Sequence, residues 1–116
     1  MLAELYDCGP ALADEAALIA AARAAVLAEG ATIIGSAEAR YVPHGLTVAL
    51  FLAESHLVLT TWPEYRLLLI DVMLCNPAMS CRRIVERLRD TVGPGGRLVC
   101  REVPRIIAAS PLATAS

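Results

Sequence analysis

Serine hydroxyls and cysteine thiols are side chains that could do covalent or proton-transfer chemistry, and this 116-residue chain holds Ser55 between two apolar runs and four cysteines, Cys75 among them. Ser55 lies in Ala53-Glu54-Ser55-His56, between apolar runs at 46–53 and 57–62. The Glu54–Ser55 peptide bond is thus expected in a constrained turn, with its carbonyl open to the serine hydroxyl. A serine in a turn is ordinary by itself. A thiol such as Cys75 has a reference pKa of ~8.5, mostly protonated at neutral pH yet able to give up its proton. Cys8, Cys75, Cys81 and Cys100 contain no Cys-x-x-Cys pair, and His44 and His56 do not stand at metal-ligand spacing from them. Reduced thiols in a cytoplasmic protein are the default reading. The chain has no lysine, so it cannot hold pyridoxal phosphate through an internal Schiff base.

The elements that must position these residues read as an α/β pattern. A short strand at 2–6 precedes a helix from the Asp14 cap to about Glu29, stopped by Gly30, with Leu12, Ala16, Ile19, Ala22 and Val26 near one face. Strand-like runs follow at 31–36, 46–53, 57–62 and 67–74, punctuated by Pro43-His44-Gly45 and Pro63-Glu64. Asn76-Pro77 has the form of a helix start, Ile84, Val85, Leu88 and Val92 give that helix an apolar stripe, and Gly93-Pro94-Gly95-Gly96 ends it. A last strand is expected at 98–103. The end from 108 or 109 to 116 lacks periodicity and reads as a disordered tail. The expected fold is an α+β two-layer sandwich: one domain, residues 1–108, with two helices on one face of a mainly antiparallel sheet. Its open face would pair with another copy.

Composition narrows the function classes. Hydrophobic residues make up 57% of the chain, above the usual ~45–50%. The apolar runs are far shorter than the ~20 residues of a membrane span, so the surplus points to subunit contact rather than membrane. Acidic residues near the start argue against a secretory signal. With a net charge of −2, ten arginines interspersed among twelve acids leave no footprint for nucleic acid.

Several short motifs resemble, in order and spacing, the bacterial S-adenosylmethionine decarboxylase proenzyme family. They are Glu4-Leu5-Tyr6-Asp7-Cys8, Gly30-Ala31-Thr32, Tyr41-Val42-Pro43-His44-Gly45-Leu46-Thr47, Ala53-Glu54-Ser55-His56, Thr61-Trp62-Pro63-Glu64-Tyr65 and Asp71-Val72-Met73-Leu74-Cys75. The resemblance implies self-cleavage between Glu54 and Ser55, giving a beta chain of residues 1–54 and an alpha chain of residues 55–116 that begins with a pyruvoyl group made from Ser55. That ketone would serve as the electron sink that the missing lysine rules out by the pyridoxal route. Cys75 becomes the acid that reprotonates the substrate carbon, Thr47 the hydroxyl that assists processing, Tyr41 and Trp62 the adenine sandwich, and Glu64 the carboxylate receiving the ribose hydroxyls. The implied enzyme decarboxylates S-adenosylmethionine for spermidine synthesis as a homodimer of processed protomers. The bland alternatives are a structural Cys75, aromatic side chains in the core and a merely solvated Glu64.

The chain departs from the family pattern at four positions. Thr60 stands where the base of the elimination step is a histidine, and threonine cannot remove a proton at neutral pH. Ala39 replaces a second histidine, and Arg66 and Asn76 stand where glycine is usual. His56 does not replace the base, whereas His44 is a candidate to do so. Two alternatives follow: a non-processing paralogue acting as a regulatory or small-ligand-binding subunit, and a decarboxylase of ornithine or arginine. An arginine at position 66 would repel such cationic substrates unless it points away.

Overall fold

The structure is a computed structural model, described here over residues 1–105. Six strands, β1 (Leu2–Tyr6), β2 (Ile33–Arg40), β3 (Leu46–Leu52), β4 (Ser55–Trp62), β5 (Leu67–Met73) and β6 (Arg97–Arg101), form one sheet in the order β2-β3-β4-β5-β1-β6. Every neighbouring pair is antiparallel. Helices α1 (Glu15–Ala28) and α2 (Cys81–Val92) pack against each other and cover one face. This is the expected two-layer sandwich.

Alternation of side chains along each strand explains the layers. In β3, β4 and β5 the buried set is Leu46, Val48, Leu50 and Leu52, then Ser55, Leu57, Leu59 and Thr61, then Leu68, Ile70 and Val72. These meet Ile84, Val85, Leu88 and Val92 of α2, all essentially inaccessible, as the apolar stripe predicted. The opposite set, including Thr47, His56, Val58, Thr60, Trp62, Leu69 and Asp71, lies on the open face of the sheet, where no helix packs among the described residues. Gly96 fixes the entry to β6. A Cβ there would stand 2.5 Å from the Tyr6 carbonyl oxygen and 2.8 Å from that of Gly93.

Four expectations need correction. The buried face of α1 is Leu18, Ala21, Ala22, Ala25 and Val26, while Ala16 is exposed; an alanine-rich helix offers little contrast by which to phase it. The β2 strand runs four residues further than 31–36. Its Ala37–Arg40 part is an exposed edge held by backbone pairing to β3 rather than by apolar residues. Asn76-Pro77 does not start α2. Instead the Asn76 side chain accepts from Ala78 N–H at 2.9 Å and its carbonyl from Met79 N–H at 3.0 Å, closing a turn. Ser80 is the true cap, its hydroxyl accepting from Arg83 N–H at 3.2 Å. The last strand stops at Arg101, short of 98–103. By contrast Asp14 caps α1 as expected, accepting from Ala17 N–H at 3.1 Å. The tail assigned to 108–116 lies outside the described residues.

Candidate active site

The β3–β4 hairpin is closed by only two residues, because Leu52 pairs directly with Ser55. Tight hairpin loops need left-handed backbone, and here Glu54 supplies it with φ 60°. Left-handed φ is uncommon outside glycine, asparagine and aspartate, so a glutamate held there is a stored local strain. The preceding residue is anchored by Ala53 N–H donating to the Thr32 carbonyl at 3.1 Å. Ser55 is the first residue of β4, 9% exposed, with its hydroxyl donating to the Ala53 carbonyl at 3.1 Å.

Cys75 follows β5 directly and brings its thiol to the same turn. Its S–H donates to the Glu54 carbonyl oxygen at 2.7 Å, the carbonyl of the peptide bond that precedes Ser55. Among the described residues the four cysteines divide clearly. Cys75 is exposed and faces this carbonyl, whereas Cys8 is buried, donates to the Leu5 carbonyl and has its pKa pushed up to about 11 by burial. Burial also raises the Cys81 thiol, and Cys100 is half-buried. The structural reading thus holds for Cys8. A cavity of about 440 Å³ opens over the turn, bounded by Gly30, Thr32, Ser55, Cys75, Asn76 and Met79. Neither histidine nor arginine is among its described lining residues.

The remaining predicted residues gather at the other end of the hairpin. Tyr41 OH and Thr47 Oγ1 are 2.8 Å apart, and Thr47 Oγ1 and Thr60 Oγ1 are 3.0 Å apart, so three hydroxyls form a chain across β3 and β4. Thr60 is five strand residues from Ser55, about 16 Å at ~3.3 Å per residue, and on the opposite face. Within one chain, therefore, neither Thr47 nor Thr60 stands beside the Glu54–Ser55 bond. Glu64 sits in a 3-10 turn (Pro63–Tyr65) and accepts from, or pairs with, His44 Nε2 at 2.7 Å. That pairing was not legible in the sequence, since His44 and Glu64 are twenty positions apart. His44 is accordingly engaged far from the turn and does not replace the missing base within its own chain.

Glu64, His44, Tyr41 and Arg40 border a second cavity of about 670 Å³. Trp62 does not line it. The indole lies on the open face, 44% exposed, its ring centroid 6.2 Å from that of Tyr65. Tyr41 is 50% exposed, so neither aromatic belongs to the core. Arg66 has φ 51° and points away from this cavity, donating from Nε to the Cys8 carbonyl at 2.9 Å. Its charge is thereby committed to the loop after β1.

Comparison with known proteins identifies the family. The sequence model of the family described as S-adenosylmethionine decarboxylase matches residues 1–105. An S-adenosylmethionine decarboxylase proenzyme of Prochlorococcus marinus (strain MIT 9313) is 37% identical over 109 residues, covering 90% of this chain and 87% of the relative. A proenzyme of the same description from Thermotoga petrophila is 33% identical over 90 residues, covering 77% and 69%. In fold, the chain is similar to the crystal structure of the adenosylmethionine decarboxylase from Aquifex aeolicus VF5, with a TM-score of 0.67, 24% identity and coverage of 94% and 93%. Family match, relatives and fold converge on one conclusion: this chain belongs to the S-adenosylmethionine decarboxylase family.

Proposed function

We propose that the protein is a pyruvoyl-dependent S-adenosylmethionine decarboxylase proenzyme that cleaves itself between Glu54 and Ser55 and supplies aminopropyl groups for spermidine synthesis. The observation that carries this reading is the Cys75 S–H on the Glu54 carbonyl, at a residue held in left-handed backbone. A donor fixed on a carbonyl oxygen stabilises the negative charge that develops there when a nucleophile adds to the carbon.

The first step of processing, ester formation, uses only groups at the turn. Ser55 Oγ adds to the Glu54 carbonyl carbon, its proton passes to the Ser55 nitrogen, and the C–N bond breaks, leaving an ester and a free amine. Elimination needs a base for the Ser55 Cα proton, and among the described residues no histidine lines the cavity over the turn; once that proton is taken, rupture of the Cβ–Oγ bond releases residues 1–54 with a Glu54 carboxylate. The dehydroalanine left at position 55 takes up water and loses ammonia, giving the pyruvoyl group at the head of the second chain. When present, that group supplies the ketone that takes the substrate amine and accepts electrons as carbon dioxide leaves. Cys75 serves this stage too, because its thiol proton is held beside residue 55, where the substrate carbon must be reprotonated.

The two clusters support a homodimer. One holds the bond to be cut, and the other, some 16 Å away and on the other face, holds the hydroxyl chain, an exposed tryptophan and the His44–Glu64 pair. Two copies packed open face to open face about a two-fold axis would lay one copy's Thr47–Thr60 end against the other's Ser55 end. In such a site the adenine and ribose are received by Tyr41, Trp62 and Glu64. The His44–Glu64 bond would have to open for Glu64 to accept the ribose hydroxyls. The commitment of Arg66 to the Cys8 carbonyl leaves the ornithine or arginine reading without a new contact to support it.

The test is the intact mass of the denatured protein before and after a ketone-trapping reagent. Two fragments divided at 54/55, the second bearing a trappable carbonyl, are expected. A single 12.3 kDa chain would instead favour a non-processing paralogue.

A further inference from the structure

Both walls of the cavity over the cleavage turn lead back to one buried carboxylate. Glu29 ends α1, and its side chain is only 4% exposed. The segment that follows it, 30–32, forms one wall and holds the turn through the Thr32 carbonyl on Ala53 N–H. The opposite wall is the 75–80 loop, which carries Cys75. Glu29 reaches across to that loop, accepting from Ser80 N–H at 2.8 Å, from Arg83 at 2.6 and 3.0 Å, and from Arg87 Nη1 at 2.7 Å. Arg83 extends the tie by donating to the Ala78 carbonyl at 3.4 Å.

The placement is unusual for a helix end. A carboxylate at the C-terminus of α1 opposes the macrodipole of its own helix, but here it also meets the N-terminus of α2, where negative charge is favoured. With two guanidiniums and a backbone N–H all directed at it, the Glu29 pKa is drawn down to about 2, by Arg83 first and Arg87 next. It therefore stays charged through the whole physiological range.

We propose that Glu29 is a positioning residue for Cys75: its carboxylate clamps the 75–80 loop to the segment that holds the hairpin turn and so sets the thiol on the Glu54 carbonyl. This rests on the cleavage reading above. The pairing of Met73 with His56 ties the start of the loop to β4, and Glu29 is the tie at its far end; without the clamp the loop keeps that first anchor and its internal Asn76 turn but loses its hydrogen bonds to Glu29.

The experiment compares wild type with Glu29→Gln and Arg83→Gln, and with Asp90→Asn as a control, since among the described residues the exposed Asp90 pairs only with its neighbour Arg89. Two readouts are taken on protein shown to be folded by circular dichroism: the half-time of cleavage, and iodoacetamide labelling of Cys75 and Cys81 in chains also carrying Ser55→Ala. Both clamp variants are expected to lengthen the half-time at least tenfold and to raise Cys75 labelling severalfold with Cys81 unchanged, while Asp90→Asn changes neither. Unchanged cleavage and labelling would overturn the proposal. So would a parallel rise at Cys81, which signals general loosening, and so would failure of both variants to fold, which assigns Glu29 to stability alone. A wild-type chain that stays intact refutes cleavage rather than the clamp, which Cys75 labelling then judges by itself.

Discussion

The two ends of the β3–β4 hairpin are built on opposite plans. At the turn end the groups are few, close and mutually constrained: a left-handed Glu54, a buried Ser55 and a thiol on the carbonyl between them. At the mouth end they are exposed and polar, with a chain of three hydroxyls, a histidine–carboxylate pair and two large aromatic rings open to solvent. The first suits a reaction of the chain upon itself, since a bond can be strained and polarised by neighbours that never leave. The second suits a visiting molecule, whose binding must stabilise it relative to water. Within one copy of the fold the two groups stand about 16 Å apart along β4 and on opposite faces of the sheet.

Substitutions can break this division of labour. Ser55→Ala removes the nucleophile and should abolish both cleavage and decarboxylation, leaving one folded chain by mass and no carbon dioxide release. Cys75→Ala should lower decarboxylation by about 10²–10⁴-fold, the usual contribution of a general acid, and also slow cleavage. An effect on decarboxylation alone would separate the two roles assigned to the thiol. Thr60→His restores an imidazole at the mouth end and should speed cleavage by about tenfold or more. If the site is composite, mixing Ser55→Ala,Thr60→His chains with wild type should accelerate cleavage of the wild-type copies, whereas a site confined to one chain predicts no such transfer.

Smaller effects sharpen the comparison. Glu64→Gln weakens a charged hydrogen bond of about 1.5–3 kcal/mol, so KM should rise roughly ten- to hundredfold with the cleavage rate unchanged. For Glu29 the prediction concerns acid. Its folded pKa lies near 2, below the 4.5 of a free glutamate, so its contribution to stability is fully present above about pH 4.5 and fades as pH falls toward 2. Urea unfolding should show Glu29→Gln weaker than wild type at pH 7, with the gap closing between pH 4.5 and 2.

What the sequence determined by itself is the frame and the local chemistry. The strand-like runs at 46–53 and 67–74, the Asp14 cap and the 84/85/88/92 stripe each encode a structure through near neighbours; the cap and the stripe appear where the pattern put them, and each strand ends one residue earlier. The motif around Ser55 and Cys75 likewise picked out two residues that the fold brings to one turn, with the Cys75 thiol on the Glu54 carbonyl. Regions of weak contrast were not legible: the phase of an alanine-rich α1, the edge half of β2, and Asn76-Pro77, whose helix-start form lost to the Ser80 cap once Asn76 turned onto Ala78. Only tertiary structure decided which residues share a site. Strand period places Ser55 and Thr60 on opposite faces, and antiparallel register ties Thr60 to Thr47. Packing of α1 on α2 brings Glu29 to residues more than fifty positions away. Such contacts depend on how whole elements fold back on one another, and short-range patterns carry no record of that distance.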